Sequence, residues 1–123
     1  MGHVRTRVTI LNPTDSSVTS QVEALVDTGA TFTVVPRPLA NTLNLPVIGK
    51  SVVRTATGPI TLDRASAGVR INGNSDTHSV LISDTMSDVL VGVITLEALS
   101  LTVDPTSGQL KEAEALLFHG GEI

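Results

Sequence analysis

The stretch Ala24-Leu25-Val26-Asp27-Thr28-Gly29-Ala30 decides how this chain folds and what it can do. Its first three residues are apolar and predict the end of a strand, and the triplet after them places one carboxylate in a tight turn beside a hydroxyl. Glycine at the third position lets another backbone approach closely. The chain contains seven Asp residues, but only Asp27 begins such a triplet, since the other two Asp-Thr pairs continue with His78 and Met86. Asp27 is therefore the candidate catalytic carboxylate.

The composition favours a small β protein with an aliphatic core. A chain of 123 residues is expected to form one domain, residues 1–123. Apolar residues make up 41% of the chain, yet it has only two Phe and neither Tyr nor Trp, so Val, Leu, Ile and Ala must fill the core. The frequent Val and Thr favour strands.

Charge and cysteine content exclude several classes of function. The net charge is −4 and no basic cluster stands out, so nucleic acid is not expected as a partner. The chain has no Cys, which excludes disulfides and thiol catalysis. The N-terminus has no apolar segment typical of a signal peptide, and no run reaches the ~18 apolar residues of a membrane span. A cytoplasmic protein without a membrane partner is the expectation.

Alternating apolar residues and recurrent turn signals predict an all-β fold with two short helices. Turn signals recur roughly every 8–12 residues, as in β-barrels and sandwiches. Pro36-Arg37-Pro38 is expected to introduce the first helix, with Asn44 as its left-handed cap. The second helix is expected at residues 95–99, where Thr95 and Glu97 are interpreted as helix-start residues. The predicted strands cover residues 4–10, 18–26, 47–54, 60–69 with Ile71 as the end of that arm, 79–83, 89–92, 101–103, 109–111 and, at the end of the chain, 115–118.

Turn clusters are predicted between several of these strands. The first is Asn12-Pro13-Thr14-Asp15-Ser16-Ser17, and Asn72-Gly73-Asn74 is a later one. The tip Thr55-Ala56-Thr57-Gly58-Pro59 joins two long strands and carries only small, uncharged side chains. Asp84, which lies in a polar segment, is interpreted as solvated.

Three elements in order carry a family resemblance. They are the triplet at Asp27, the glycine-tipped hairpin about thirty residues later, and Leu90-Val91-Gly92 ahead of a short helix. Together they resemble the retropepsin-like aspartic proteases, and the segment from residue 90 to residue 110 is most similar to cellular, prokaryotic-type members. The resemblance spans roughly residues 4–118. It implies the closed β-barrel half of a pepsin-like fold, working as a symmetric homodimer on a polypeptide substrate without a cofactor.

The resemblance also implies roles for individual residues. Asp27 would be the catalytic carboxylate, Thr28 would bond across the dimer axis, and Gly29 would let the substrate backbone lie close. Residues 52–62 would form a flap over the substrate, and Leu90-Val91-Gly92 would pack under the Asp27 loop. The residues implied in substrate binding are Ala30, Thr55, Ala56, Thr57 and Gly58.

Two positions depart from the viral members of that family. Those members usually carry an acid after the Ala and an Arg after the later Gly, and here these positions are Thr31 and Val93. Both charges are missing together, so another surface must hold the dimer. The chain ends, residues 3–10 and 115–118, are the candidates because they carry apolar residues that a small monomer would struggle to bury.

Other readings of the sequence remain open beside this one. Asp27 alone could be a turn residue that caps its own backbone. The three His residues are scattered, so no metal site is expected, and no Gly-x-Ser-x-Gly elbow indicates a serine hydrolase. The chain could also be a catalytically idle dimerisation or peptide-binding domain with the same fold. An α/β binding domain is a weaker alternative, because the strands are many and the helices short.

Overall fold

A computed structural model describes residues 4–113 of the chain as nine strands and two short helices. The strands are β1 (Val4–Asn12), β2 (Asp15–Val26), β3 (Val34–Pro36), β4 (Val47–Thr55), β5 (Gly58–Ile71), β6 (Asn74–Ser83), β7 (Val89–Val91), β8 (Leu101–Val103) and β9 (Leu110–Glu112). The helices are α1 (Arg37–Thr42) and α2 (Val93–Ala98). In these residues no helix has the length and apolar character needed to cross a membrane.

Six of the strands close into a barrel. The larger sheet has the order β1-β2-β7-β3-β6-β5-β4, and β1 also pairs with β5 across Thr9–Leu11, which joins the two sides of the ring. Strand β4 lies outside this ring as the edge partner of β5, and β8 and β9 form a separate hairpin. The predicted all-β closed barrel with two short helices is confirmed.

The barrel core is aliphatic, as the composition requires. Side chains alternate between the two faces of each strand, and the inward positions of β1 and β2 include Val8, Ile10, Ala24 and Val26, all fully or almost fully buried. The same cluster continues through β5, β6 and β7 to Leu96 of α2. The polar residues buried with it are Thr33, Ser83 and Thr95.

Turn chemistry follows the sequence signals in most places. Asn72 and Gly73 both have positive φ, 52° and 85°, and connect β5 to β6 in a tight hairpin. Asn44 adopts the predicted left-handed conformation after α1, with φ 50°. The first predicted turn is too long, because only Pro13 and Thr14 form it and β2 already begins at Asp15.

Two further sequence expectations need correction. Helix α2 begins at Val93 rather than Thr95, so Thr95 is not a helix-start residue but lies fully buried inside the helix. Asp84 is not simply solvated, since it forms an ion pair with Arg37. The strand predicted over residues 115–118 lies outside the residues that the structure describes.

An ion-pair network ties the base of the β4–β5 hairpin to the rest of the barrel. The Arg37 guanidinium, at the start of α1, donates to Asp84 at 2.8 Å and to Asp63 of β5 at 3.0 Å. Lys50 of β4 donates to the other Asp63 oxygen at 2.7 Å. These contacts lower the pKa of Asp63 through Lys50 and then Arg37, and lower the pKa of Asp84 through Arg37.

The network predicts a specific acid sensitivity. Because the folded-state pKa values of Asp63 and Asp84 lie below the unfolded value of about 3.9, the pairs contribute stability above that pH and lose it as pH falls through the folded values. We expect the thermal midpoint of the wild-type protein to fall between about pH 5 and pH 3, and Arg37→Gln to flatten that fall. Arg70→Gln, which removes an exposed Arg outside the network, is the control. An equal slope in the wild-type protein and in Arg37→Gln would contradict the assignment.

Candidate active site

Asp27 is held where the barrel brings two distant segments side by side. Strand β2 runs parallel to β7, and the backbone N–H of Asp27 donates to the carbonyl of Val91 at 2.9 Å, just beyond the end of β2. The Asp27 Oδ1 atom accepts the N–H of Gly29 at 2.8 Å, and the Asp27 carbonyl accepts the N–H of Ala30 at 3.1 Å. The carboxylate is therefore oriented by its own turn and exposed on the protomer surface.

The segment after β7 crosses the Asp27 loop and is bonded to it through backbone atoms. Val93 N–H donates to the carbonyl of Ala30 at 2.8 Å, and Ile94 N–H donates to the carbonyl of Thr31 at 2.9 Å. Together with the bond from Asp27 N–H to the Val91 carbonyl, these contacts place Leu90-Val91-Gly92 against the Asp27 loop, as predicted.

Gly92 is required at this crossing by space rather than by conformation. A Cβ atom on Gly92 would lie 2.4 Å from the carbonyl oxygen of Phe32 and 2.9 Å from that of Ala30. Both are backbone atoms, so a side chain could be accommodated only by moving the loop itself.

A series of hydrogen bonds between buried polar groups, here called the buried polar chain, holds the crossing in place. The Gly92 N–H donates to Thr33 Oγ1 at 3.0 Å, and Thr33 and Thr95 share a hydroxyl–hydroxyl hydrogen bond. Thr95 Oγ1 in turn lies 3.2 Å from Nε2 of His78, so the chain reaches from the Asp27 loop through α2 to β6. Because Thr33 and Thr95 are both completely buried, each needs these partners to offset the loss of water.

Sequence reasoning missed both of these threonines. The available signal was weak: Thr33 interrupts an otherwise apolar run from Phe32 to Val35, and Thr95 lies on a short helix with apolar neighbours. Neither position reveals that the two hydroxyls meet, since they are 62 residues apart.

A cavity of about 420 Å³ lies between the Asp27 loop and the β4–β5 hairpin. It is lined by Gly29, Ala30, Thr31, Phe32, Val34, Val52, Val53, Arg54, Leu62 and Leu81. The structure thus brings Gly29 and Ala30 together with strand residues of the expected flap.

The hairpin tip, by contrast, does not take part in lining that cavity. Strands β4 and β5 pair up to Thr55 and Gly58, which leaves a two-residue tip at Ala56 and Thr57. Thr55 Oγ1 donates to the carbonyl of Gly58 at 2.7 Å, so the tip bonds to itself. None of these four residues lines the cavity of one protomer.

A larger cavity, of about 590 Å³, lies away from Asp27 and contains none of the predicted site residues. It is lined mainly by Val22, Leu39, Met86 and neighbouring residues. Among residues 4–113 no three His, Asp or Glu side chains cluster in a way that could hold a metal ion. The predicted residues Gly29 and Ala30, next to Asp27, line the smaller cavity instead.

Comparisons with known proteins agree with this geometry. A family model described as aspartyl protease matches residues 8–95. No curated protein matches the sequence. The EIAV protease complexed with the inhibitor HBY-793 superposes with a TM-score of 0.63 at 18% identity, over 94% of each chain. The simian foamy virus (mac) protease gives a TM-score of 0.56 at 19% identity, over 76% of this chain and 91% of that one.

The buried polar chain predicts a large effect of a nearly isosteric substitution. Thr33→Val removes the acceptor of Gly92 N–H and the partner of Thr95, so it should lower the free energy of unfolding by about 1–3 kcal/mol. Thr19→Val makes the same chemical change at an exposed position of β2 and should alter the free energy by no more than about 0.5 kcal/mol. Denaturant unfolding measures both changes in free energy. Equal changes would show that the hydrogen bonds of the Thr33 hydroxyl do not stabilise the fold more than an exposed hydroxyl does.

Proposed function

The chain belongs to the aspartyl protease family, and on that basis we propose that it is an endopeptidase that works as a symmetric homodimer, with Asp27 of each protomer as the catalytic pair. The observation that carries this proposal is the position of Asp27, an oriented carboxylate exposed at the crossing of two loops beside a cavity that contains no carboxylate of its own. One protomer therefore offers half of the required chemistry.

Two-fold symmetry supplies the other half. An isologous interface brings the same patch of both protomers together, so an exposed Asp27 near the axis would meet its own copy. Asp27, Thr28 and Gly29 are all exposed in the isolated protomer, as an interface of this kind requires. Thr28 would then bond across the axis and fix the two loops relative to each other.

The two carboxylates would divide the work of peptide hydrolysis. Two unit charges ~3 Å apart repel by about 5–6 kcal/mol at an effective dielectric constant of ~20, so the pair retains one proton. The ionised member takes a proton from a bound water, and the protonated member donates its proton to the oxygen of the scissile carbonyl as the water attacks the carbon. The first member then gives its proton to the amine nitrogen as the C–N bond breaks, and the second takes a proton back from a hydroxyl of the intermediate, so the pair again holds one proton. No covalent intermediate and no cofactor is needed.

Local geometry supports the proposed roles of Gly29 and Ala30. A Cβ atom at Gly29 would lie 3.2 Å from Asp27 Oδ1, so any side chain there would crowd the carboxylate and the substrate backbone. Ala30 lines the cavity beneath the hairpin. Thr55, Ala56, Thr57 and Gly58, at the tip, would reach the substrate only when the hairpin closes over it.

The free part of β1 is a candidate dimer surface. Strand β1 pairs with β5 only from Thr9 to Leu11, so among the described residues one edge of Val4–Val8 has no strand beside it. Unpaired strand edges favour pairing with another chain. This position is consistent with association through the chain ends, although residues 115–118 lie outside the described part.

Replacing the catalytic carboxylate tests the assignment. Asp27→Asn keeps the size of the side chain but removes the group that accepts the proton from water, so we expect cleavage of casein and of peptide libraries to fall by at least about 10³-fold. Sedimentation and circular dichroism should show an unchanged fold and association state. A variant that still cleaves at the wild-type rate would rule out Asp27, and a wild-type protein that binds peptides without cleaving them would indicate an idle binding domain.

Mixing experiments test the need for two protomers. After subunit exchange, increasing amounts of Asp27→Asn added to a fixed amount of wild-type protein should reduce activity, because wild-type protomers become trapped in heterodimers with one carboxylate. Adding the exposed-surface variant Arg70→Gln, which keeps Asp27, should not reduce it. Activity that is indifferent to the Asp27→Asn protein would show that one protomer is sufficient.

A further inference from the structure

We propose that Arg54 selects substrates with acidic residues on both sides of an aliphatic cleavage position. This inference rests on the proposed function and adds the substrate class. It starts from the cavity beside Asp27, whose walls are mainly apolar. Thr31 adds a hydroxyl to the lining, and Arg54 is the charged residue among all that line it.

The apolar walls determine what the centre of the site accepts. Aliphatic and aromatic side chains hold a substrate side chain mainly through burial of apolar surface, worth about 25 cal/mol per Å². The lining has no carboxylate that could favour a Lys or Arg of the substrate. Apolar side chains, aliphatic ones among them, are therefore the best fit near the scissile bond.

Arg54 differs from the other cations of the hairpin because no acceptor within residues 4–113 is bonded to it. Lys50 is paired with Asp63, and Arg64 donates to Ser51 Oγ and packs over Gly49. Arg54 takes part in no ion pair or side-chain hydrogen bond with the described residues, and the residue opposite it on β5 is Pro59. Its guanidinium is exposed and free to bind a carboxylate from a ligand.

The charge of the hairpin supports the same choice of ligand. Residues 47–64 carry three cations and a single carboxylate, whereas the whole chain has a net charge of −4. The hairpin is thus a locally positive surface on an acidic protein. Complementary charge of this kind mainly discriminates between partners rather than adding affinity in bulk.

Two-fold symmetry places two copies of Arg54 in the proposed dimer. In the proposed homodimer each protomer contributes one Arg54, and an extended substrate that rises ~3.3 Å per residue would pass one on each side of the scissile bond. A peptide with an acidic residue on both sides is then a better substrate than a peptide with one.

Matched peptides test the inference directly. The parent peptide is neutral and has aliphatic residues at the cleavage position. Each of the four positions on either side is replaced in turn by Asp, or by Asn as the uncharged control. We expect Asp to exceed Asn in kcat/KM by about three- to tenfold at one position on each side, mainly through KM, at about pH 5.5 where the peptide carboxylates are ionised. The preference should shrink as salt is raised.

Variants assign the preference to Arg54. Arg54→Gln should bring the Asp-over-Asn ratio of kcat/KM close to one, and Arg54→Lys should keep part of the preference. Arg70→Gln should leave the ratio as in the wild-type protein, because Arg70 is an exposed cation that does not line the cavity. The ratio between two peptides is independent of any general loss of stability or activity in a variant.

The failure of this inference can be distinguished from the failure of the proposed function. If peptides are cleaved with equal rates for Asp and Asn, or with a preference that Arg54→Gln does not change, the inference is wrong while the protease stands. If no peptide is cleaved, the proposed function fails, and fluorescence anisotropy of the same Asp and Asn peptides with the wild-type protein and Arg54→Gln still decides whether Arg54 selects acidic ligands.

Discussion

The contact on which the rest of the structure depends is the crossing of the Asp27 loop by the segment that joins β7 to α2. There the backbones approach so closely that a single Cβ atom at Gly92 would lie 2.4 Å from the carbonyl oxygen of Phe32. The crossing is held by backbone hydrogen bonds from Asp27, Val93 and Ile94, so it does not depend on the chemistry of most side chains in either loop. The crossing requires glycine at position 92, and it requires hydrogen-bond partners for the buried hydroxyls of Thr33 and Thr95 next to it.

The site combines this fixed loop with a hairpin that is held only at its base. Strand β4 is an edge strand, and the large hydrophobic residues exposed among those described, Val47, Ile48, Val52 and Ile60, all lie on β4 or β5. The ion pairs of Asp63 with Arg37 and Lys50 anchor the lower part, whereas the side chains of the tip, within residues 4–113, form hydrogen bonds only inside residues 55–58. A segment with few buried contacts opens at low free-energy cost, and under the proposed function this would let the hairpin admit a polypeptide and then cover it.

The sequence was informative where the determinants are local. Asp27-Thr28-Gly29, the turn at Asn72 and the cap at Asn44 are fixed by the conformational preferences of a few adjacent residues, and all three could be placed before the structure was known. The hydrogen bond between Thr33 and Thr95 could not, because it joins positions 62 residues apart and each threonine alone is equally typical of a surface strand or a helix start. The early start of β2 at Asp15 was missed because its polar residues are typical of a turn. Asp15 nevertheless pairs with Asn12 of β1, across a register shift that follows the Leu11–Thr19 pair.

The crossing forms within the protomer without charged side chains at positions 31 and 93. Thr31 and Val93 take part in the crossing through their backbone atoms, with the Thr31 carbonyl accepting from Ile94 and the Val93 N–H donating to Ala30. The Asp27 loop is therefore in place in a single protomer, without an ion pair at these positions and without a second chain. Under the proposed mechanism, folding and dimerisation would be separable, because the barrel buries its own core while Asp27 is exposed. Under the proposed mechanism, dissociation would leave a folded protomer with an oriented but idle carboxylate, and the concentration of protomers would control activity more directly than the stability of the fold.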